Sequence, residues 1–317
     1  MTHTPLKALV TGALGFIGTP LCRRLLERGD TVTMLDLPPK APSDLIGHSS
    51  ASYHSLDLTR ESDWERVIRG HDVVFHLAAN TENRPGMAGR LADYEHTVGA
   101  TVRLLYALGD KEPTTFVLTS SQLVYGGRAG RAREADPVHP QTTFAAGKVA
   151  AEAFLCAYAN ATHISAVACR LANVIGPGIR RGVVADLVHR LREDPDKLQV
   201  LGNGQQRRSY VHVDDCVAAL LVAAATAQPG FGILNVSNTD TLTAAEVASV
   251  VAAASPGLAP AIEYSGGSAW QGDATALHPD ASKLAALGWK PQHTSREAVS
   301  STAQSLFGGS TVQGATT

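Results

Sequence analysis

Long apolar runs, cysteine, aromatic side chains and an excess of one charge are all scarce in this chain of 317 residues, and each scarcity removes a class of function. The longest apolar stretch, Val217 to Ala225, falls far short of the roughly 20 residues that a membrane-spanning helix needs. Met1 to Leu6 is short and polar and lacks the apolar centre of a secretory signal. A formal net charge of −2 offers no broad electrostatic attraction to nucleic acid or to an anionic membrane. The expectation is a cytoplasmic protein with neither as its partner. The four cysteines, Cys22, Cys156, Cys169 and Cys216, are scattered in apolar surroundings without Cys-x-x-Cys spacing, so they read as buried free thiols. No two of the twelve histidines form a His-x-x-x-His pair, and no metal is expected. Aromatic content of 5% together with abundant alanine suits helices packed closely on a sheet.

What the chain does have is glycine at telling positions. Lys7-Ala8-Leu9-Val10-Thr11-Gly12-Ala13-Leu14-Gly15-Phe16-Ile17-Gly18 joins a short apolar strand to a turn with glycines at 12, 15 and 18. An amphipathic segment follows from Thr19 to Gly29. Strand, glycine-rich turn and helix in this order make the phosphate-cradling start of a dinucleotide-binding unit. Gly12 permits the tight turn, Gly15 keeps a Cβ away from the pyrophosphate, and Gly18 lets the helix approach the strand. The helix N-terminus adds unpaired N–H donors and the positive end of a dipole. The next strand, Thr31 to Leu35, ends at Asp36, where an acid accepts bonds from both ribose hydroxyls and repels a 2′-phosphate. NAD is therefore favoured over NADP, although Lys40 lies close by in sequence.

Apolar strand-like runs at 7–11, 31–36, 73–78, 115–120 and 164–170 alternate with helical patterns near 19–28, 61–69, 91–109 and 144–160. Such alternation predicts right-handed crossovers and an α/β fold, a doubly wound parallel sheet of the Rossmann type. After Arg170, turns at Gly176-Pro177-Gly178, Asp194-Pro195 and Gly202-Asn203-Gly204 punctuate shorter elements. These mark a smaller C-terminal α/β lobe for the substrate, giving a cofactor domain over 1–170 and a lobe over 171–307. Ile233 to Val236 reads as a strand returning to the main sheet. Thr243 and Glu246 have the spacing of a capping box on a helix running to Ala254, and 308–317 reads as a disordered tail.

The spaced motifs resemble the extended short-chain dehydrogenase/reductase family, the nucleotide-sugar epimerases and dehydratases, from about Leu6 to Trp289. They comprise the glycine loop, Asp36, Asp57-Leu58, His76-Leu77-Ala78-Ala79 and Ser120-Ser121-Gln122-Leu123-Val124-Tyr125-Gly126. They continue with Arg170-Leu171-Ala172-Asn173-Val174-Ile175-Gly176-Pro177, Gly204 to Asp215, and Leu287-Gly288-Trp289-Lys290-Pro291. The resemblance implies a cofactor site of Gly12, Gly15, Phe16, Ile17, Gly18 and Asp36, with Asp57 and Leu58 at the adenine end. Leu77, Ala78 and Ala79 would line the nicotinamide side, and Lys148 would hold the nicotinamide ribose. Ser121 and Gln122 would meet the substrate, with Ser121 on its reacting oxygen. Asn173 would lie against the substrate too, and Arg208 would face its diphosphate, where a guanidinium supplies charged donors. A homodimer through two helices per subunit is usual in the family. Asp214 and Asp215 read as a helix N-cap pair rather than as catalytic carboxylates.

The sequence departs from the family at its acid/base. Members carry Tyr-x-x-x-Lys, whereas this chain has Phe144-Ala145-Ala146-Gly147-Lys148. Residues four apart on a helix share a face, so the geometry survives while the titrating hydroxyl is lost. Three readings stay open: a deliberate Tyr→Phe change that traps a bound species; a natural variant in which Tyr125 or Glu152 handles the proton; or an NAD(H)-binding sensor or partner subunit without turnover. Lys148 could instead form a structural pair with Glu152, Ser121 could simply cap local backbone, and Arg208 could be a solvated charge beside Arg207. His96-Thr97-Val98-Gly99-Ala100 stands where members have Asn-Val-x-Gly-Thr, and Trp270 stands where many have an arginine that grips the nucleotide. The expected activity is an NAD-dependent epimerase or dehydratase, with a ketoreductase of the same family as the alternative.

Overall fold

The computed structural model describes residues 4–38, 45–60, 64–80, 87–109, 114–127, 130–266 and 276–308. The first half runs β1 (Lys7–Thr11), α1 (Gly18–Glu27), β2 (Thr31–Asp36), β3 (Ala51–Ser55), α2 (Glu65–Ile68), β4 (Val73–His76), α3 (Met87–Asp93), α4 (Ala100–Leu108), β5 (Thr115–Ser121) and α5 (Thr143–Ala161). Then come β6 (Ser165–Leu171), β7 (Asn173–Ile175), α6 (Val183–Glu193), β8 (Lys197–Val200), β9 (Arg207–Arg208), β10 (Tyr210–His212), α7 (Val213–Thr226) and β11 (Gly230–Val236). The chain closes with β12 (Leu242–Thr243), α8 (Ala244–Ala254), β13 (Ala261–Tyr264), β14 (Ala276–Leu277), α9 (Ser282–Ala286) and α10 (Ser295–Gly308).

Seven strands form one parallel sheet in the order β11-β6-β5-β4-β1-β2-β3. Side chains alternate between its faces. Ala8, Val10, Val73 and Phe75 join α1 and α7 in one core, while Leu9 and Val74 join α4 and α5 in the other. The strand order reverses between β1 and β4, which opens a crevice beyond their carboxyl ends, the place where doubly wound sheets take their ligands. A third core gathers α6, α8 and α10 around Leu187, Leu191, Val247 and Val251. The chain after 171 contributes to both bodies, since α7 packs on α1 and β11 pairs with β6.

The strands at 7–11 and 31–36 lie where the apolar runs put them, and β5 and β6 differ by a residue at their ends. The run at 73–78 ends as a strand at His76, because Leu77 to Ala79 leave the sheet to line the crevice. β3 was not anticipated: Ala-Ser-Tyr-His-Ser is an edge strand, half-buried or exposed, and carries no apolar run. The 91–109 pattern is interrupted by a π-helical stretch, Tyr94–Gly99, packed on α5. Of the helix expected at 61–69, Glu65–Ile68 is helical and residues 61–63 lie outside the described part, as do 309–317. The capping box at Thr243 and Glu246 forms with both reciprocal bonds. Cys22, Cys169 and Cys216 are buried, but Cys156 is only half-buried, because it lies near the outer side of α5.

Candidate active site

The glycine loop is closed tightly enough that its glycines are steric requirements. Gly12 has φ +67°, and a Cβ there would stand 2.8 Å from the Ala78 nitrogen. At Gly18 a Cβ would meet the Gly12 carbonyl oxygen at 2.1 Å, whereas at Gly15 the same oxygen would be 3.1 Å away. α1 therefore starts directly over the loop. Its first turn carries no acidic residue and no side-chain cap, which leaves its N–H donors and dipole to an anion. Asp36, at the end of β2, accepts the Leu14 N–H through Oδ2 and the Leu37 N–H through Oδ1, both at 2.8 Å. It thus ties the loop to the second strand.

Around this loop lies a cleft of about 1010 Å³. Gly12, Gly15, Phe16, Ile17, Gly18 and Asp36 line it, together with Asp57, Leu58, Leu77, Ala78 and Ala79. His96 and Thr119 complete that side, and Pro177 to Arg181 with His212 to Asp214 form the facing wall. At Asp57, burial would raise the carboxyl pKa. The Thr59 hydroxyl and N–H outweigh that effect, with help from Arg60, and hold the group below its ordinary range. The cradle a Cβ would fill, the open helix terminus and the acid at the β2 end together fit a dinucleotide.

A relay of buried side chains fixes the side of the cleft lined by Leu77 to Ala79. Thr101 donates its hydroxyl proton to the Thr97 carbonyl at 2.6 Å, so it must accept from His76 Nε2 at 3.0 Å. His76 Nδ1 is then bare and accepts from Thr11 Oγ1 at 2.7 Å, and that hydroxyl accepts the Ala78 N–H at 3.2 Å. Burial, with Lys148 nearby, pushes His76 down to about 3, so the ring stays neutral and the chain of donors runs one way. The sequence motifs contain His76 and Thr11, but nothing in the sequence marks Thr101 or joins the three.

Thr142 caps α5 by accepting the Ala145 N–H. One turn in, Phe144 and Lys148 share a face, the Lys148 Nζ lying 6.0 Å from the ring centroid. Lys148 is buried and donates to the Thr119 carbonyl at 2.7 Å. Burial lowers its pKa to about 8, against the opposing pull of the Glu152 charge. The alternative reading of Lys148, a structural pair with Glu152, is not realised: the two form no ion pair. Glu152 instead takes Arg170 at 3.0 and 2.7 Å and the Ser120 hydroxyl at 2.5 Å. Tyr125 is also committed: its hydroxyl donates to Asn235 at 2.7 Å, and Arg170 lies 4.8 Å from its ring centroid.

Ser121 accepts the Leu123 N–H at 3.2 Å and caps a short 3₁₀ turn, Gln122–Tyr125. Gln122 donates to Asn173 at 3.0 Å, so two of the residues expected at the substrate are neighbours across β5 and β7. Arg208 is half-buried in β9 between β12 and β14, with Nη1 on the Arg207 carbonyl at 2.9 Å, and the next residue, Ser209, accepts the Asn173 N–H at 3.3 Å. Arg207 is held by Thr241 and Glu246. Lys40 and Trp270 lie outside the described residues. The reading of Asp214 and Asp215 as an N-cap pair is corrected: His212 is the cap of α7, its Nδ1 accepting the Asp214 N–H. Asp215 sits inside the first turn, buried, and accepts from the Gln292 N–H, the His293 N–H and His293 Nδ1. It bolts the segment before α10 to α7.

Residues 8–237 match the family model described as NAD dependent epimerase/dehydratase family. The UDP-glucose 4-epimerase of Mycolicibacterium smegmatis is 32% identical over 237 residues, covering 71% of this chain and 75% of its own. A crystal structure of a UDP-galactose 4-epimerase superimposes with a TM-score of 0.81 at 34% identity, covering 95% of this chain and 98% of its own. MoeE5 in complex with UDP-glucose and NAD gives a TM-score of 0.84 at 30% identity, covering 94% and 98%.

Proposed function

This chain belongs to the NAD-dependent epimerase/dehydratase family, and on that premise we propose that it remodels a nucleotide-linked sugar through a transient keto sugar, at a rate limited by position 144. NAD bound there would supply reversible hydride transfer with a sugar carbon, and the transient ketone would acidify the neighbouring C–H. The residues of the chain supply the rest. The glycine loop and α1 seat the phosphates, Asp36 receives the ribose hydroxyls, and Lys148 holds positive charge beside Thr119. Ser121 gives its hydroxyl proton to the reacting oxygen while its oxygen goes on accepting the Leu123 N–H. Gln122 and Asn173 form one polar surface against the sugar nucleotide.

The observation that carries this reading is the shared face of Phe144 and Lys148 in a site where both other candidate proton carriers, Tyr125 and Glu152, are hydrogen-bonded elsewhere. On this reading the site lacks one hydroxyl, that of residue 144. The test is a panel of UDP- and dTDP-sugars with NAD, run on this chain and on its Phe144→Tyr variant, with products resolved by chromatography. Product from neither protein would end the proposal.

Asp36→Ala is expected to weaken NAD binding by about 10- to 100-fold, the effect of losing a charge-assisted hydrogen bond. It should also narrow the preference for NAD over NADP, because the charge that repels a 2′-phosphate is gone. Fluorescence titration with NADH and NADPH measures both, and an unchanged NADH affinity would contradict the role given to Asp36.

A second copy of the chain is the partner we assign to the outer face of α3 to α5. Leu91, Tyr94, Tyr106 and Phe154 are 60%, 61%, 78% and 49% exposed there, on elements that pack against one another. Such a patch is costly to leave in water. Tyr106→Glu combined with Phe154→Glu should convert a dimer into monomers in sedimentation velocity. A monomeric parent protein would refute the assignment.

A further inference from the structure

Gln122 is 2% exposed, yet its Oε1 has no hydrogen-bond partner among the described residues. The side-chain bond it does make there runs from Nε2 to Asn173 Oδ1 at 3.0 Å. A buried acceptor left unsatisfied costs stability that an apolar side chain of similar length would keep. The fold gains little from an amide at this position, which turns attention to its effect on Asn173.

Asn173 stands just past the carboxyl end of β6, whose last residue, Leu171, is level with Ser121 at the end of β5. Doubly wound sheets take their ligands beyond those ends. The backbone of Asn173 is held by β10, through register with Tyr210 and an N–H donated to the Ser209 carbonyl at 3.3 Å. Its side chain is the part left to turn, and Gln122 fixes it. With Oδ1 engaged by Gln122, the other end of the Asn173 amide is Nδ2 with its two donors. Asn173 is half-buried, and Nδ2 has no partner among the described residues and is not one of their buried unpartnered atoms. It is a donor open to a ligand. Turning both amides over would keep one bond between them. It would also leave the Gln122 nitrogen, with two N–H groups, buried without an acceptor, which is the rarer defect in folded proteins.

We propose that Gln122 is a positioning residue: it holds the Asn173 amide with its Nδ2 donors toward the substrate, so that the pair selects an acceptor oxygen at that point. The inference rests on the reading of the cleft as a sugar-nucleotide site. Of the polar surface that the two residues form, Asn173 is the part that touches the ligand, and Gln122, the more deeply buried, acts through it. The group recognised must accept hydrogen bonds. A phosphate oxygen or a sugar oxygen satisfies two amide donors, whereas an ammonium group, which only donates, would be refused.

The experiment is a double-mutant cycle read by calorimetric binding of UDP, UDP-glucose, dTDP and dTDP-glucose to the full-length protein in the presence of NAD. Gln122→Met should weaken binding of the sugar nucleotide about 3- to 10-fold, the range of one neutral hydrogen bond. Its melting temperature should not fall, because methionine leaves no buried acceptor unsatisfied. In an Asn173→Ala background the same change should alter affinity by less than about twofold, since Gln122 then has nothing to orient. Loss shared by the bare nucleoside diphosphate places the acceptor oxygen on the diphosphate, and loss confined to the sugar nucleotide places it on the sugar. Should Gln122→Met fold poorly, the side-chain amide resonances of Asn173 in the unaltered protein serve instead. They should shift and exchange more slowly when the sugar nucleotide is added, and unmoved resonances would overturn the proposal. Parental affinity in Gln122→Met, or an equal loss with and without the Asn173 side chain, would overturn it as well while leaving the sugar-nucleotide site standing. A parent protein that binds neither UDP-glucose nor dTDP-glucose would overturn the reading of the site, and this inference with it.

Discussion

Phe144→Tyr should raise kcat for the sugar-nucleotide reaction by about 10²- to 10⁴-fold, the range a positioned general acid/base contributes. The argument is geometric. Residues 144 and 148 occupy one face of α5, and the Lys148 Nζ stands 6.0 Å from the ring of residue 144. A hydroxyl added to that ring would extend into a site already holding a buried cation. A phenol with an unperturbed pKa of about 10 needs such a cation to work as a base near neutrality. Neither Tyr125 nor Glu152 can substitute for it without breaking a bond, because the Tyr125 hydroxyl is on Asn235 and Glu152 is on Arg170 and Ser120. The Tyr variant should also acquire a pH limb that the parent lacks, while its NADH affinity stays within about twofold. Equal kcat in the two proteins would show that position 144 is not where the proton moves.

The glycine turn and its flanking strand and helix were legible in the sequence because their determinants are local. Gly12, Gly15 and Gly18 fall within one strand–turn–helix, and a single side chain at the end of the next strand completes the set. The parallel sheet follows from alternation and right-handed crossovers, while the order of its strands comes from the structure. β3 escaped because an edge strand needs no apolar run. The finer contacts of the site escaped because they join residues far apart in the chain. Glu152 can reach either Lys148, four residues away on its own helix, or Arg170 on β6, and spacing favours the wrong partner. Burial decides for Arg170, whose guanidinium fork matches both carboxylate oxygens. Asp215 looks like a capping residue from its place at a helix start, yet it serves residues 292 and 293, which no local pattern reveals.

That buried pair carries the largest expected stability effect. Glu152→Ala should destabilise the fold by about 3–5 kcal/mol, since it strands a charge in the protein interior. Arg170 is 3% exposed, and without Glu152 its polar partners would be the neutral Glu134 carbonyl at 3.3 Å and the Tyr125 hydroxyl. Burial pulls the Arg170 pKa down, but the Glu152 carboxylate outweighs it and the net direction is up, so the guanidinium cannot escape by losing its proton. Removing both charges with Glu152→Leu and Arg170→Met should cost less than the single change, because well-packed apolar side chains need no partner. Urea unfolding of the parent, the single and the double variants measures this as shifts in midpoint at constant m value. A single variant no worse than the double would mean that water or a moved side chain reaches Arg170. Function should follow a different order from stability. Ser120, beside Ser121, donates to Glu152, and Tyr125 packs under Arg170 while its hydroxyl holds Asn235 on β11. The double variant should therefore fold well yet place Ser121 loosely, lowering kcat while leaving NADH affinity at its parent value, because the glycine loop and Asp36 stand on β1 and β2, two strands that the pair does not touch.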